Sequence, residues 1–284
     1  MKRKLFYGAI IVVCFISIIL AIVVQFSKTS NQPNQILNSA DVNIENNTEP
    51  GETENPIDYD AIKNEFNNLF ANTFESNNYQ ESKIEKISEE QKLVFPYTIH
   101  EKKEGRYTLD INIPFVNIKQ EEAEKLNTKS NDLFIKKANE IVSSTDAQNT
   151  TYTIDYTASI TQDILSIAIK ATLKEGSNPQ RVMIQTYNYD LKNNQQVTLS
   201  QILQNWEMDE KDTQTAILDG ITEINKTSEA LIQSGYDVYQ RNLEDEMYKI
   251  ANSNYFYIDK TGRIYVIYPY GNNQETSEYD VIAF

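Results

Sequence analysis

The sequence has one cysteine, one histidine and eight glycines among its 284 residues. Because Cys14 is alone, an intrachain disulfide framework and a cysteine-based zinc site are excluded. Because His100 is alone, metal sites built on paired histidines are excluded, and a Ser-His-Asp triad has little support. No two glycines have the spacing of a GxGxxG or GxSxG motif, so nucleotide-binding loops and nucleophile elbows have no candidates. The sequence therefore predicts a protein that is not an enzyme and uses no cofactor or catalytic metal.

Positive charge is also scarce, with 26 Lys and Arg against 41 Asp and Glu and a formal net charge of −15. Four of the basic residues lie within the first 28 positions, before any acidic residue, and the remainder carries −19. Nothing clusters Lys and Arg into a continuous footprint, which argues against a nucleic-acid partner. A domain this acidic would attract a strongly basic partner, and the attraction would weaken as salt rises.

The strongest positive signal is the uncharged run at residues 5–26, LFYGAIIVVCFISIILAIVVQF. A helix of this length spans roughly 30 Å of hydrocarbon. Lys2, Arg3 and Lys4 precede the run, and basic residues beside a membrane segment favour the cytoplasmic side. We therefore predict a cytoplasmic stub at 1–4, a single transmembrane helix at 5–26 and an extracytoplasmic location for the rest.

Two other interpretations of this run stay open. A cleaved signal peptide has a shorter apolar region followed by a small-residue cleavage site, and residues 27–30, SKTS, match that site poorly. Lipid modification of Cys14 is the weaker alternative, because Val12 and Val13 stand where small residues are needed. An uncleaved anchor is the favoured interpretation.

Residues 27–57 are rich in Asn, Thr, Glu and Pro and show no sustained period of 2 or 3.6. Such a segment cannot bury enough apolar surface to offset the entropy of ordering, so we predict a disordered stalk. As a coil it would hold the following domain on the order of 30 Å from the membrane.

Residues 58–145 are predicted to form a first subdomain of helix, two strands and helix. Residues 92–100 and 106–116 are typical of strands, and Pro96 in the first indicates an edge position. The period of apolar residues in 120–143 predicts a long helix. Asp58 can cap the first helix, whose apolar face carries Ile62, Phe66, Leu69, Phe70 and Phe74.

Residues 146–284 are predicted to form a second subdomain. Ile, Tyr, Thr and Val dominate three segments that read as strands, and turn-prone residues separate them. A helical turn at 198–203 and two helices come next, the second of them capped by Asp237, and a hairpin and a last strand close the chain. The fold class is α+β, with antiparallel sheets packed with helices. The predicted elements are strands 151–161, 163–174, 180–191, 255–258, 263–268 and 279–284, and helices 213–234 and 237–252.

Two segments of this second half, TYNYDLKNNQQVTLSQIL (186–203) and FYIDKTGRIYVIYPYG (256–271), resemble the DUF3298 family, the lysozyme-receptor domain of RsiV-like anti-sigma factors. The upstream segment IPFVNIKQEEAEKLNTKSNDLF (113–134) is similar to the companion DUF4163 family. The resemblance implies a DUF4163-like subdomain at 58–145 and a DUF3298-like subdomain at 146–284. Relatives include membrane-anchored extracellular domains and the N-terminal part of peptidoglycan deacetylases.

The chain departs from these relatives in two respects. An anti-sigma factor needs a cytoplasmic sigma-binding segment, and residues 1–4 cannot supply one. A deacetylase needs a further domain with Asp and paired His ligands for its metal, whereas this sequence has His100 alone.

The candidate ligand-binding residues follow the C-terminal hairpin. The resemblance implies that a loop here contacts the ligand, and Pro, Gly and Asn suit a loop that projects aromatic side chains. Tyrosine also suits half-buried strands, so packing in the sheet is the alternative for the aromatic residues. The residues are Tyr268, Pro269, Tyr270, Gly271, Asn272 and Asn273.

Other polar groups are predicted to be structural. His100 ends a strand pattern and is expected to be exposed or hydrogen-bonded rather than catalytic. Acidic clusters at 207–212 and 244–246 lack the alternating ligands and Gly turn of a calcium loop, so we expect solvated faces or helix caps.

Three classes of function fit these observations. The first is a membrane-anchored extracytoplasmic binding domain, sensor-like, for an extracellular protein such as lysozyme or for peptidoglycan. The second is a cell-envelope glycan-acting enzyme or accessory factor, because two carboxylates alone can suffice for glycan hydrolysis. The third is an assembly protein that associates through its membrane helix, which the absence of a GxxxG motif disfavours. The first is the favoured interpretation.

Overall fold

The structure, a computed structural model, describes residues 57–76, 84–145, 147–270 and 278–284. The predicted stub at 1–4, the transmembrane helix at 5–26 and the stalk up to residue 56 lie outside the described residues. Among the helices that are described, none has the length and apolar character needed to cross a membrane. The described residues belong to one unit that covers 56–284.

A seven-stranded sheet is the centre of this unit, and its main strands lie where the sequence predicts them. Its order is β2-β3-β4-β5-β6-β7, and β1 pairs with β4 beside this path. Pro96 lies in β2, at the edge, as predicted. The strands are β1 Thr73–Ser76, β2 Val94–Lys103, β3 Tyr107–Val116, β4 Thr150–Thr161, β5 Ile164–Glu175, β6 Arg181–Asp190 and β7 Gln195–Gln196.

The α+β class is confirmed, but the prediction of purely antiparallel sheets is wrong. β3 and β4 are parallel, with Tyr107 opposite Thr150, and β1 is also parallel to β4. The helical connection between β3 and β4 is long enough to carry the chain back to the end from which β3 starts, so the next strand runs in the same direction. The sheet takes strands from both sides of residue 145, and the predicted subdomain boundary there stays a prediction.

The connection between β3 and β4 is helical, as predicted for 120–143. It consists of α2 (Glu121–Ser130), a π-helical turn (Asn131–Ile135) and α3 (Lys136–Ser143). Its apolar side chains pack against one face of the sheet, whose alternating residues on β3 to β5 point towards it. This core includes Leu126, Phe134, Ala138, Ile141, Ile111, Ile154, Tyr156 and Ile169.

Helix α1 (Tyr59–Asn68) packs near the opposite face of the sheet, and the side chain of Asp58 caps it by accepting from the Ala61 N–H at 2.9 Å. Phe66 is fully buried here. The prediction that Phe74 continues this helical face is wrong, because the helix ends at Asn68 and Asn72 turns the chain with φ 57°. Phe74 therefore lies in β1.

A three-stranded antiparallel sheet, in the order β10-β9-β8, packs with α1 and with β5 and β6. Its strands are β8 (Phe256–Ile258), β9 (Ile264–Pro269) and β10 (Tyr279–Ala283). They correspond to the predicted hairpin and last strand. The hydroxyls of Tyr257 and Thr157 are 3.0 Å apart and join the two sheets.

Two further helices pack on the three-stranded sheet. Helix α4 (Leu199–Asn205) begins with a capping box between Thr198 and Gln201, and α5 (Glu210–Gln233) begins at the cap Asp209. Their buried residues join those of the sheet in one core that includes Leu199, Ile202, Ile217, Ile221, Val266, Tyr268 and Ile282.

The predicted helix at 237–252 is wrong. Gly235 ends the preceding helix with φ +87°, and the following chain is irregular apart from two 3-10 turns, Glu246–Tyr248 and Ile250–Asn252. This irregular segment places the side chains of Arg241 and Tyr248 in the interior of the protein. Tertiary contacts of these two side chains therefore override the local helical pattern.

Gly220 permits the close approach of α5 to its neighbours. A Cβ at this position would lie 2.6 Å from Cδ1 of Ile282 and 2.9 Å from Cε1 of Tyr59. Ala normally stabilises a helix interior by about 1 kcal/mol relative to Gly. We predict the opposite sign for Gly220→Ala, a loss of about 1–3 kcal/mol in the free energy of unfolding, because the buried side chains must move.

Urea unfolding of the full chain measures this effect, with Thr227→Ala on the exposed face of the same helix as the control. An unchanged or higher urea midpoint for Gly220→Ala would show that Ile282 and Tyr59 accommodate a Cβ at this position, and it would contradict the prediction.

Candidate functional site

The predicted ligand-binding residues fall partly within the structure. Tyr268, Pro269 and Tyr270 are described, whereas Gly271, Asn272 and Asn273 lie outside the described residues. The expectation that the loop projects the two tyrosine rings is wrong, because Tyr268 is 2 % exposed and Tyr270 is 3 % exposed. Tyr268 lies in β9, and the Tyr270 N–H extends the hairpin by donating to the Glu278 carbonyl at 3.0 Å. The packing alternative therefore describes both rings, and a binding role for the loop stays a prediction.

Arg241 forms the centre of a buried polar cluster beside these tyrosines. Its guanidinium donates Nε to Asp280 Oδ2 at 3.0 Å and Nη2 to Asp280 Oδ1 at 2.9 Å. It also donates Nη1 to Ser228 Oγ at 2.6 Å and lies 2.5 Å from Glu278 Oε1. The side chains of Arg241 and Asp280 are each 4 % exposed. Removing one partner of such a pair typically costs about 3–5 kcal/mol, because the other charge stays buried.

Two tyrosine hydroxyls extend the cluster. The Tyr270 hydroxyl donates to Asp280 Oδ2 at 2.6 Å and lies 3.0 Å from the Tyr248 hydroxyl. The Arg241 guanidinium also lies over the Tyr270 ring, 4.8 Å from its centroid. These contacts tie the irregular segment after α5 to strands β9 and β10. We call Arg241, Asp280, Tyr270 and Tyr248 the arginine cluster.

The cluster shifts the pKa values of its members in directions that match the geometry. Burial alone would lower the pKa of Arg241, but the hydrogen bonds and charge of Asp280 outweigh burial and raise it. Burial and the adjacent Asp280 carboxylate raise the pKa of Tyr270, and burial raises that of Tyr248 to about 12. Arg241 therefore stays charged and both tyrosines stay protonated at neutral pH.

Exposed aromatic and apolar side chains are concentrated in the segment of the chain that leads into Arg241. Eight large hydrophobic side chains are exposed among the described residues, and five of them fall within the short stretch 231–243. Tyr236 is 64 % exposed and Tyr239 is 43 % exposed. We call the five residues the tyrosine surface: Leu231, Ile232, Tyr236, Tyr239 and Leu243.

Contacts of Tyr239 connect the tyrosine surface to the predicted loop. Its ring stacks on the ring of Tyr270, with centroids 4.6 Å apart, and its N–H donates to Glu278 Oε2 at 2.9 Å. Its carbonyl accepts from Arg241 Nη1 at 2.5 Å. Tyr270 and Glu278 flank residues 271–277 on either side. Both residues that flank 271–277 therefore contact Tyr239 of the tyrosine surface.

Most charged residues close to the tyrosine surface in the sequence are acidic. Arg241 is the only basic residue between positions 227 and 248, and its charge is buried against Asp280. Several exposed carboxylates belong to the same stretch, and one of them, Asp245, caps a 3-10 turn by accepting from the Met247 N–H. The carboxylates are Glu229, Asp237, Glu244, Asp245 and Glu246.

Sequence reasoning missed the tyrosine surface because it assigned a helix to 237–252. Tyr236, Tyr239 and Leu243 stand at i, i+3 and i+7, the spacing of an apolar helix face, so the local pattern itself favours the helix. Arg241 carried no local signal, because its partner Asp280 is 39 residues away.

The remaining predicted polar groups lie where the sequence places them. His100 is exposed and pairs with Asp110 at 2.9 Å, and Asp209 of the first acidic cluster caps α5. Within the described ranges, no three or more His, Cys, Asp or Glu side chains come together to form a metal-binding group.

The buried tyrosines predict a loss of stability at high pH. Burial raises the pKa of Tyr248 to about 12 and also raises those of Tyr268 and Tyr270 above the ordinary value of 10.0. Their stabilising effect is complete below pH 10.0, where both the folded and the unfolded chain keep the protons. It is lost as the pH rises from 10.0 through the folded pKa values, because the tyrosines of the unfolded chain ionise at a lower pH than those of the folded chain.

We expect the thermal midpoint to fall as the pH rises above 10.0, and phenolate absorbance to show one group of tyrosines that ionises only on unfolding. Tyr268→Phe should reduce the size of that group. Complete ionisation of the tyrosines while the chain stays folded would contradict this account.

Comparison with known proteins gives matches among solved structures. No family model and no curated protein matches the chain. The crystal structure of a DUF3298 family protein (PA4972) from Pseudomonas aeruginosa PAO1 is 11 % identical, with a TM-score of 0.36 over 62 % of this chain and 80 % of that chain. A DUF3298 member (BF2082) from Bacteroides fragilis NCTC 9343 is 15 % identical, with a TM-score of 0.36 over 68 % of this chain and 88 % of that chain. These neighbours are DUF3298 family proteins, the family that the sequence resembles.

Proposed function

We propose that this chain is a membrane-anchored extracytoplasmic binding domain whose ligand is a basic extracellular protein such as lysozyme. The observation that carries the proposal is the exposed tyrosine surface, in which Tyr239 contacts the buried arginine cluster and exposed carboxylates are neighbours in the sequence. The proposed activity is recognition of a partner, and it includes no catalytic step and no cofactor.

The chemistry of the tyrosine surface suits a protein partner. Tyrosine offers a large, rigid, amphipathic area and is enriched at the centres of protein interfaces. A few such side chains commonly supply most of the binding free energy, while the polar residues around them exclude water. We assign this role to the exposed Tyr236 and Tyr239, and the exposed Leu231, Ile232 and Leu243 add apolar area.

The arginine cluster supports the proposal by fixing the backbone beneath the surface. An irregular segment that had to become ordered on binding would lose affinity to the entropy of ordering. Here Arg241 anchors the segment to β10 through two hydrogen bonds, and Tyr239 is stacked on a buried ring. The tyrosine surface is therefore preorganised for a partner.

The charge distribution favours a basic partner. Asp237 lies within 231–243, and Glu229, Glu244 and Asp245 flank this stretch. The charge of Arg241 is neutralised by Asp280, and that of Glu246 by Lys249. The chain as a whole has a net charge of −15. Complementary charge of this kind raises the association rate and weakens as ionic strength rises.

The anchor is part of the same proposal and rests on the sequence. Residues 5–26 are uncharged over a length that crosses a bilayer, and Lys2, Arg3 and Lys4 favour a cytoplasmic N-terminus. The polar segment 27–57 would then act as the linker between the membrane and the binding domain. Lysozyme is an extracellular protein, so this orientation brings it to the tyrosine surface.

Lysozyme binding to the purified full chain tests the proposed function. We expect saturable binding that weakens as salt is added. Tyr236→Ala should weaken it at least roughly tenfold, because loss of a central aromatic contact costs about 2 kcal/mol. The thermal midpoint should stay unchanged, because the Tyr236 ring is 64 % exposed.

Leu133→Ala is the matched control, since Leu133 is an exposed apolar residue (36 %) outside the tyrosine surface. This control should bind lysozyme like the unaltered chain. Absence of lysozyme binding would contradict the proposed partner, and binding that survives both Tyr236→Ala and Tyr239→Ala would contradict the proposed surface.

The proposed orientation has a separate test. Protease added to intact cells should cleave within 27–57 and release a fragment that starts near Asp58, because this segment would lie outside the membrane. Detection of the fragment by mass spectrometry checks this outcome. Protection of 27–57 in intact cells, with cleavage only after lysis, would place the segment on the cytoplasmic side.

A further inference from the structure

A polar face of the seven-stranded sheet lies away from the tyrosine surface. The three-stranded sheet and α1 pack on the half of this face near Thr157, Ala168 and Ile184. On the other half the strands present exposed or half-buried polar side chains at every second position. These residues are Thr98, His100, Lys102, Thr108, Asp110, Asn112, Thr151, Thr153, Asp155, Lys170, Thr172 and Lys174.

Asp155 and Lys170 lie where the open half of this face meets the covered half. They are directly opposite each other on β4 and β5, and both are half-buried. The end of α1 and the turn after it form a wall beside them. Lys170 Nζ donates to Asn67 Oδ1 at 3.0 Å and lies over the Phe70 ring, 4.4 Å from its centroid.

The turn after α1 also fixes the Asp155 carboxylate. Asn72 Nδ2 donates to Asp155 Oδ1 at 2.7 Å, and Asn72 Oδ1 accepts from the Tyr156 N–H at 3.0 Å. Asn112 Nδ2 lies 3.5 Å from the same carboxylate oxygen, and the Thr98 hydroxyl donates to Asn112 at 3.1 Å. Donors and acceptors therefore follow one another in an ordered row from β2 to β5.

Among the described residues, the pair retains capacity for a ligand. An ammonium has three N–H donors, and within this part of the chain Lys170 donates one of them, to Asn67. A carboxylate has two oxygens, and both amide contacts of Asp155 that the structure describes are made to Oδ1. One hydroxyl group can accept from an ammonium and donate to a carboxylate at the same time. Two neighbouring hydroxyls on a sugar ring match a donor and an acceptor that lie side by side.

We propose a binding site for a neutral saccharide chain on this part of the sheet. The site is formed by Asp155, Lys170 and Asn112 together with the wall of Asn67, Phe70 and Asn72. The hydroxyls of one sugar unit bind Lys170 and Asp155, and the apolar face of the ring packs at the edge of Phe70. The next units of the chain follow the open strands, where Thr153 and Thr172 supply further hydroxyls. This site is independent of the lysozyme proposal.

The charges of the open face favour a neutral chain over a charged polymer. Lys102, Lys170 and Lys174 are opposed by Asp110 and Asp155, so these residues leave the face a formal net charge of only +1 with His100 neutral. A strongly anionic or cationic polymer would meet groups of its own sign along these strands, whereas hydroxyl groups use both signs equally.

Calorimetric titration of the full chain with chitotetraose, cellotetraose and maltotetraose, in a detergent without a sugar headgroup, tests the proposal. We expect at least one of these saccharides to bind with a Kd of about 1 mM or below. Lys170→Met and Asp155→Asn should each weaken binding at least roughly tenfold, because each removes one of the paired groups.

Lys102→Met is the matched control, since it removes an exposed ammonium from the same face near the sheet edge, and it should leave the Kd unchanged. Acetylation of lysines in the unaltered chain gives a second test that does not depend on the variants. The bound saccharide should slow acetylation of Lys170 by an amine reagent relative to Lys102. Failure of all three saccharides to saturate at about 10 mM, or unslowed acetylation of Lys170 with saccharide bound, would overturn the proposal.

Discussion

The buried pair of Arg241 and Asp280 is the interaction on which the C-terminal half of the structure depends. The pair joins an irregular segment to the last strand of the three-stranded sheet, and neither side chain is accessible to solvent. Two hydrogen bonds between the partners, with Ser228, Tyr270 and Glu278 around them, satisfy the charges that burial would otherwise leave uncompensated. A hydrophobic residue could fill this space, but it would give the segment no fixed register.

Two surfaces with different chemistry follow from this arrangement of layers. The first carries exposed aromatic residues and carboxylates over the arginine cluster, on a segment without regular secondary structure. The second consists of polar side chains on regular strands, where α1 and the three-stranded sheet leave part of a sheet face open. A protein partner suits the first, because large apolar contacts supply its affinity. A hydroxyl-rich partner suits the second, because paired donors and acceptors can be matched there.

The sequence predicts those parts of the fold that depend on neighbouring residues. Alternation from Tyr107 to Ile113 predicts β3, and the helical turn predicted at 198–203 corresponds to α4. Features that depend on distant residues escape such reasoning. The burial of Tyr268 and Tyr270 depends on contacts with Tyr239, Arg241 and Tyr248, and Arg241 in turn depends on Asp280. The Asp155–Lys170 pair becomes visible only when the register of β4 against β5 is known. The sequence therefore points to Tyr268 and Tyr270, which are buried, and misses the exposed residues of the tyrosine surface.

The central claim is that Arg241 holds the tyrosine surface in a fixed conformation. Amide hydrogen exchange of the full chain, compared between the unaltered protein and Arg241→Met, tests this claim most directly. We expect faster exchange across 236–248 in the variant, with little change in the strands β3 to β5, because the anchored segment loses its contacts to β10 while the large sheet keeps its own core. Equal exchange across 236–248 in the two proteins would contradict the claim.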